Sequence, residues 1–231
     1  MKEYVINNKK YRLNLFDKLD SSSAYLIGYL CGDGSFAKKT HKRKSRMRVS
    51  SVNKETIIWI KENFCPDSAI NSHIPINKKR NIKTKNMSHV LTMSSKFSEA
   101  LNKYGVLSLK KDRRIVNISK NLFRCYLKGL IDSDGHFASG RRKDRNRVWA
   151  QLGITHQSTH VLSYVQKFLH EELNLSSFVN IRNDEDCLDL KMSKIDSVLK
   201  LINWLNEDDS CPFYKKYQTD KIVSLCNEKY V

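Results

Sequence analysis

Residues 25–36 read YLIGYLCGDGSF, and residues 126–137 read YLKGLIDSDGHF. Aligned from Tyr25 and Tyr126, the two stretches share Tyr, Leu, Gly, Asp, Gly and Phe at equivalent places, and four of the chain's eight glycines fall on the shared positions. Their last aspartates, Asp33 and Asp134, lie 101 positions apart in a chain of 231. A recurrence at that distance is too long for a solenoid and fits a duplicated half-domain.

The segments following each copy agree with duplication. SFAKKTHKRKSRMRVSSV reads as two strands around a basic turn, and NKETIIWIKENF (53–64) sets Ile57, Ile58, Trp59 and Ile60 at the spacing of a mostly buried helix. SAINSHIPIN (68–77) and MSHVLTMSS (87–95) alternate like strands, and KFSEALNKYG (96–105) reads as a helix stopped by Gly105. In the second half HFASG and RVWAQLGIT (147–155) are strands, and HQSTHVLSYVQKFLHEEL (156–173) gathers Val161, Leu162, Val165, Phe168 and Leu169 on one helical face. SSFVNIRN (176–183), CLDLKMS (187–193) and the helix KIDSVLKLINWLNE (194–207) complete it. The expected fold is α+β, two αββαββα halves at 21–105 and 121–231, the second with a C-terminal helix (213–228). An arm at 1–20, with a hairpin turning at Asn7-Asn8, and a connector at 106–120 lie outside the repeat.

Composition narrows the partner. Lys and Arg number 42 against 24 Asp and Glu, a net charge of +18, which favours an acidic polymer, nucleic acid ahead of a membrane surface. No apolar run is long enough to span a bilayer, and the N-terminus lacks the apolar core of a signal peptide, so an intracellular protein is expected. Cysteines 31, 65, 125, 187, 211 and 226 form no CxxC pair, which argues against zinc and for reduced core thiols.

The repeated motif reads as a helix with an unusual end. Ser21, Ser22 and Ser23 offer N-caps, predicting a helix over 22–33. Gly28 and Gly32, like Gly129 and Ser133, are four apart, so each helix carries a strip of small residues along which two helices can cross closely. Asp33 and Asp134 would then meet at the negative end of both helix dipoles and repel, unless a cation lies between them. Mg²⁺ would resolve the conflict, held by both carboxylates and the carbonyls of Gly32 and Ser133; Mn²⁺ or Ca²⁺ suits the same oxygen set. A single Asp-Gly would be only a turn.

Leu26-Ile27-Gly28-Tyr29-Leu30-Cys31-Gly32-Asp33-Gly34 and Leu127-Lys128-Gly129-Leu130-Ile131-Asp132-Ser133-Asp134-Gly135 look like two copies of the LAGLIDADG motif. From about 22 to 228 the chain resembles the two-motif, single-chain LAGLIDADG homing endonucleases. The resemblance implies a pseudo-two-fold monomer whose motif helices form the interface and whose sheets make a saddle over double-stranded DNA. It implies that Asp33 and Asp134 hold divalent metal and cut both strands across the minor groove, leaving short 3′ overhangs. By position it assigns water-ordering roles to Val52-Asn53 and His156-Gln157, and a strand lysine to Lys191, matched in the first half by Met93. Cys31 departs from the motif aspartate, and Asp132 reads as a structural residue.

Three turns concentrate positive charge: KKTHKRKSRMR (38–48), KKRNIKTK (78–85) and RRKDRNR (141–147). Between paired strands they are candidates to enter the major groove and grip phosphates. The candidate DNA contacts are Lys38, Lys39, Arg43, Arg46, Arg48, Lys78, Arg80, Lys83, Arg141, Arg142, Arg145 and Arg147. Connector residues Lys110, Lys111, Arg113 and Arg114, with Lys215, Lys216 and Lys221, are weaker candidates. An RNA maturase acting on its own intron RNA and a catalytically silent DNA-binding regulator are the rival readings. The ends of the chain suggest a free-standing or intron-encoded protein rather than an intein.

Overall fold

Backbone contact at the shared glycines fixes how the two motif helices meet. In the computed structural model, which describes residues 4–6, 9–12, 17–37, 46–77, 82–83, 86–107, 109–142, 147–181 and 186–227, the chain opens with a hairpin, β1 (Tyr4–Ile6) and β2 (Lys9–Tyr11). The first half follows as α1 (Ser21–Asp33), β3 (Gly34–Ala37), β4 (Arg46–Ser51), α2 (Lys54–Phe64), β5 (Ile70–His73), the small pair β6 (Ile76–Asn77) and β7 (Ile82–Lys83), β8 (Ser88–Met93) and α3 (Ser95–Asn102). A 3-10 turn at Lys110–Asp112 lies in the connector. The second half is α4 (Lys120–Asp134), β9 (Gly135–Arg142), β10 (Arg147–His156), α5 (Thr159–Leu173), β11 (Phe178–Ile181), β12 (Leu188–Met192) and α6 (Ile195–Asn206), with α7 (Lys216–Asn227) beyond it.

Each half forms one four-stranded antiparallel sheet, in the orders β3-β4-β8-β5 and β9-β10-β12-β11. Met47, Val49, Leu91 and Met93 face the helices of the first half; Ala150, Leu152, Ile154, Leu190 and Met192 do so in the second. Because side chains alternate along a strand, the opposite faces carry Arg46, Arg48 and Ser50, and Arg147, Trp149, Gln151 and Lys191.

The motif helices cross where they have no side chains to keep them apart. A Cβ at Gly28 would stand 1.9 Å from the Tyr126 carbonyl oxygen, and one at Gly129 would stand 2.1 Å from that of Tyr25. Helix α1 is capped by Asp20, whose carboxylate accepts the Ser23 N–H at 2.8 Å; the cap expected at Ser21–Ser23 is displaced because an ionised oxygen is the better partner for the positive helix end. The β1–β2 hairpin docks on the first half, Tyr11 packing edge-on against Phe97 at 5.7 Å.

Candidate active site

Helices α1 and α4 end together, and a cleft of about 610 Å³ beside that end is lined by Asp33, Asn53, Thr56, Asp132, Tyr214 and Lys215 among others. A Cβ added at Gly32 would approach the Ser133 Oγ to 2.0 Å and the Asp134 carboxyl carbon to 3.0 Å, so the two motif ends are in contact. Burial, with Asp134 nearby, pushes the Asp33 carboxyl up to about 6. Tyr29 donates to that carboxylate and is itself hydrogen-bonded to Ser51.

Three side-chain cations answer the charge conflict. Arg113 is 1 % exposed; its guanidinium donates to the carbonyls of Leu30, Cys31, Gly32 and Gly34, and its Nε to Leu107 O at 3.1 Å. It thereby closes the C-terminus of α1 and satisfies carbonyls the helix leaves without partners. Lys215 does the same for α4, donating to Ile131 O at 2.7 Å and to Gly135 O. The two residues stand 102 positions apart, so the duplicated unit includes a strap that returns a basic side chain to its own motif helix. Lys110, from the first strap, crosses to the other half: its Nζ is 2.9 Å from Asp134 Oδ2 and donates to Oδ1 at 3.1 Å. The equivalent of Lys110 in the second strap is Pro212, which carries no charge. Arg113, Lys110 and Lys215 were expected to reach phosphates; Arg113 is instead sealed in the interior, and the other two are turned onto the motif ends. Lys111, Arg114, Lys216 and Lys221 are exposed.

Asp132 is a structural acceptor. It takes hydrogen bonds from the Tyr25 hydroxyl at 2.8 Å and from the N–H groups of Tyr214 and Lys215 at 2.9 and 2.8 Å. By the repeat its partner is Cys31, and Tyr126, the counterpart of Tyr25, lies against that thiol, which burial pushes up to about 11.

Strand register corrects the pairing of the remaining candidates. Gly34 pairs with Val49 and Gly135 with Ile154, so His156 corresponds to Ser51, Gln157 to Val52, and Asn53 to Ser158. Asn53 and Ser158 are N-caps of α2 and α5, accepting from Glu55 N–H at 3.0 Å and Val161 N–H at 3.3 Å. His156 is buried: Nδ1 accepts the Ser158 N–H at 2.9 Å, leaving Nε2 to donate to Cys31 O at 3.0 Å, with Asp134 Oδ2 3.9 Å away. Burial pushes its imidazole down, so it is a neutral donor rather than a free ligand for water. Gln157 is exposed. Lys191 stands on the open face 3.5 Å from Asp189, which also accepts from Thr155 Oγ1 at 2.6 Å. Its first-half counterpart is Thr92, because Leu91 pairs with Val49 as Leu190 pairs with Ile154; Met93 is core.

Of the two expected carbonyl ligands, that of Gly32 already accepts a long hydrogen bond from Arg113; beside that of Ser133, the serine hydroxyl bonds back to Leu130 O at 3.0 Å. Among the described residues no three His, Cys, Asp or Glu side chains gather as a metal-binding group. Asp134 Oδ2 is nonetheless buried with no donor in hydrogen-bonding geometry, only the Lys110 ammonium beside it.

No family model and no curated protein matches the chain. Solved structures do. LAGLIDADG meganuclease I-AabMI bound to uncleaved DNA superposes with a TM-score of 0.59 at 15% identity, covering 92% of both chains. I-SmaMI bound to uncleaved DNA target with calcium ions gives 0.61 at 14%, covering 92% of this chain and 94% of that one. Mesophilic variants of the homing endonuclease I-DmoI give 0.57 at 16%, covering 87% and 97%. The fold is that of the single-chain LAGLIDADG homing endonucleases. It also matches full-length DUF199/WhiA from Thermatoga maritima, with a TM-score of 0.51 at 15% identity, over 92% of this chain and 64% of that one.

Within this LAGLIDADG fold, Arg46 and Arg48 lie on the open face of the first sheet and Arg147 on that of the second. Arg141 pairs with Val148, placing it on the opposite face. Lys83 and Arg142 end strands, while Lys38, Lys39, Arg43, Lys78, Arg80 and Arg145 lie outside the described residues. The sequence reading missed the two capping cations; the 102-residue spacing of Arg113 and Lys215 was the available signal. No described helix is long and apolar enough to cross a membrane.

Proposed function

We propose that the protein is a site-specific, divalent-metal-dependent endonuclease that cuts both strands of DNA across the minor groove, leaving short 3′ overhangs. The observation that carries this reading is the meeting of two motif-ending carboxylates, Asp33 and Asp134, beside a cleft, in a molecule whose two sheets each carry arginines on the open face. The paired carboxylates of Asp33 and Asp134, with Asp134 Oδ2 buried and met only by the Lys110 ammonium, form an all-oxygen set that fits a hard cation such as Mg²⁺. Asp33 and Asp134 would hold it, and when bound it supplies an activated water and neutralises the leaving oxygen.

The chain's own residues do the rest. Arg113 and Lys215 fix the motif ends and offset the helix dipoles that would otherwise repel the carboxylates and the incoming phosphates. Lys110 holds the Asp134 carboxylate and offers its remaining N–H bonds to phosphate oxygens. Tyr29 orients Asp33. Arg46, Arg48 and Arg147 neutralise backbone phosphates, so affinity falls steeply with salt.

The test is cleavage of a plasmid carrying the uninterrupted form of the DNA that flanks the reading frame, with Mg²⁺ or EDTA, beside Asp33→Asn and Asp134→Asn. Metal-dependent linearisation at one place, slowed by about a thousandfold or more in each variant, is expected. Tight binding without a cut in Mg²⁺, Mn²⁺ or Ca²⁺ would overturn the nuclease reading in favour of a DNA-binding regulator. Preference for the chain's own intron RNA would favour a maturase.

A further inference from the structure

Strand register lines up one cross-strand row on each open sheet face, just beyond the motif acid. In the first half the row is Ser35, Arg48 and Thr92; in the second it is His136, Gly153 and Lys191. The central strand carries the cation in one row and no side chain at all in the other. Ser35 and His136 each follow their acid, Asp33 or Asp134, by two residues, which along a strand is about 7 Å. Charges on one DNA strand recur every 3.4 Å or so along the axis, so each row lies within about two nucleotides of the bond its acid would reach.

The bare position is filled from the side. A Cβ at Gly153 would stand 2.3 Å from His136 Cε1, 2.7 Å from Nε2 and 3.1 Å from Nδ1, so the imidazole lies over the glycine and takes the room a central side chain would use. His136 is itself exposed, and Gly153 is buried beneath it. The first half has the converse arrangement: Ser35 is short, its hydroxyl donating to Arg48 O at 3.3 Å, and Arg48 is exposed from the central strand. Lys191, on the far side of Gly153, is engaged by Asp189 at 3.5 Å, so the imidazole is the donor this row presents outward. Lys215 donates to the carbonyl of Gly135 and so fixes the start of the strand that carries it.

We propose that His136, seated on Gly153 beside Lys191, is a positioning residue that grips a backbone phosphate next to the bond reached by Asp134, in the place that Arg48 takes on the first sheet. An imidazole N–H donates to a phosphate oxygen, and the contact is independent of sequence because it touches no base edge. The missing side chain at position 153 is then part of the site: any Cβ there lifts the ring away from its seat. The inference rests on reading the sheets as a DNA surface, and needs neither metal nor cleavage.

It is tested on full-length protein in EDTA, with affinity for a random-sequence duplex at low salt read beside the melting temperature of each variant. His136→Ser, which installs the first-half residue, should weaken binding about fivefold, the loss of one hydrogen bond. His136→Gln, which keeps a donor, should recover part of it. Gly153→Ala should weaken binding similarly in the wild type and have no further effect on affinity in the His136→Ser background, where no ring remains to be displaced. Combining His136→Ser with Gly153→Arg recreates the first-half pair and should return affinity to the wild-type level, whereas Gly153→Arg alone forces the ring out and lowers the melting temperature. Equal penalties for Gly153→Ala with and without the imidazole would overturn the seating. A loss at His136→Ser confined to one duplex sequence would make the residue a reader of bases and overturn the phosphate assignment. Normal binding by His136→Ser, with the wild type cutting DNA as expected, would remove this site and leave the nuclease reading intact; the expected binding losses without any cleavage would do the reverse.

Discussion

The two halves repeat one fold but treat their motif acids differently. Asp33 receives a neutral donor, the Tyr29 hydroxyl, and is raised to about 6; Asp134 receives the ammonium of Lys110 at 2.9 Å. Tyr29 has Leu130 as its counterpart, Lys110 has Pro212, and Ser51 has His156, so the asymmetry is built from three substitutions within one geometry. What the halves keep in common is the cap: each motif helix ends on a basic side chain returned by its strap. Duplication has preserved the device that makes paired carboxylates tolerable and let the immediate surroundings of each carboxylate diverge.

The largest way to break this comparison is to remove the caps. Arg113→Ala deletes a buried fork that serves four carbonyls at the end of α1, and should cost about 3–5 kcal/mol of stability, read as the denaturation midpoint. Arg113→Lys should recover only part, since one ammonium cannot span the same carbonyls. Lys215→Ala, at a more accessible and less densely bonded cap, should cost about 1–2 kcal/mol. Equal losses for the two would mean that the caps are interchangeable and that the depth of Arg113 carries no extra weight.

Next in size is the titration of Asp33. Its folded pKa lies above the ordinary carboxylate value of 3.8, so the native state holds a proton that the unfolded chain has released, and this stabilisation is present below about pH 4 and lost as pH rises through about 6. The shift corresponds to about 3 kcal/mol. Asp33→Asn should therefore melt higher than the wild type at pH 7.5 in EDTA, by several degrees, and match it near pH 4. Divalent cations should bind more tightly as pH rises from 5 to 7, because binding expels that proton. A pH-independent difference would show that neither burial nor the neighbouring Asp134 raises the Asp33 carboxyl.

Much of the fold was legible because it rests on repeated local patterns. The motif helices, the strand pairs with Met47, Val49, Leu152 and Ile154 turned inward, and the return helices all follow from periods of two and 3.6 residues. The surroundings of the acids were harder to read. A basic residue in a polar connector has the same local signature whether it meets solvent or folds back, so Arg113 resembled a phosphate contact although it is sealed inside. The assignment of Asn53 failed by one position: counting residues from a strand end is ambiguous where the chain turns into a helix cap, and a one-residue slip moves a side chain to the other face. Only the register of Gly34 with Val49 and of Gly135 with Ile154 resolves it.

A smaller effect sharpens the difference between the two acids. On the nuclease reading, Lys110→Met should slow cutting about tenfold, which is about 1.4 kcal/mol, and nicked plasmid should accumulate, because Asp134 loses the ammonium paired directly with its carboxylate, whereas Asp33 keeps its tyrosine donor. If linear product appears without a nicked intermediate and at the wild-type rate, the ion pair is a resting contact with no part in cleavage.

The smallest effect is expected at Lys191, and it decides which lysine serves the second acid. Its ammonium is 3.5 Å from Asp189 on the open face, while that carboxylate also holds Thr155, so its charge is offset before any phosphate arrives. At 3.5 Å on a partly solvated face, such a pair contributes about 1 kcal/mol. Lys191→Ala should leave the single-turnover rate at saturating protein within about threefold of wild type. DNA affinity should weaken at low salt, since Asp189 is then left unpaired on a surface facing phosphates. A fall of a hundredfold in the saturated rate would move the rate-supporting role from Lys110 to Lys191, and with it the source of asymmetry from the strap to the strand. Pro212 would then cease to be the informative departure, and Thr92, at the matching position of the first sheet, would take its place.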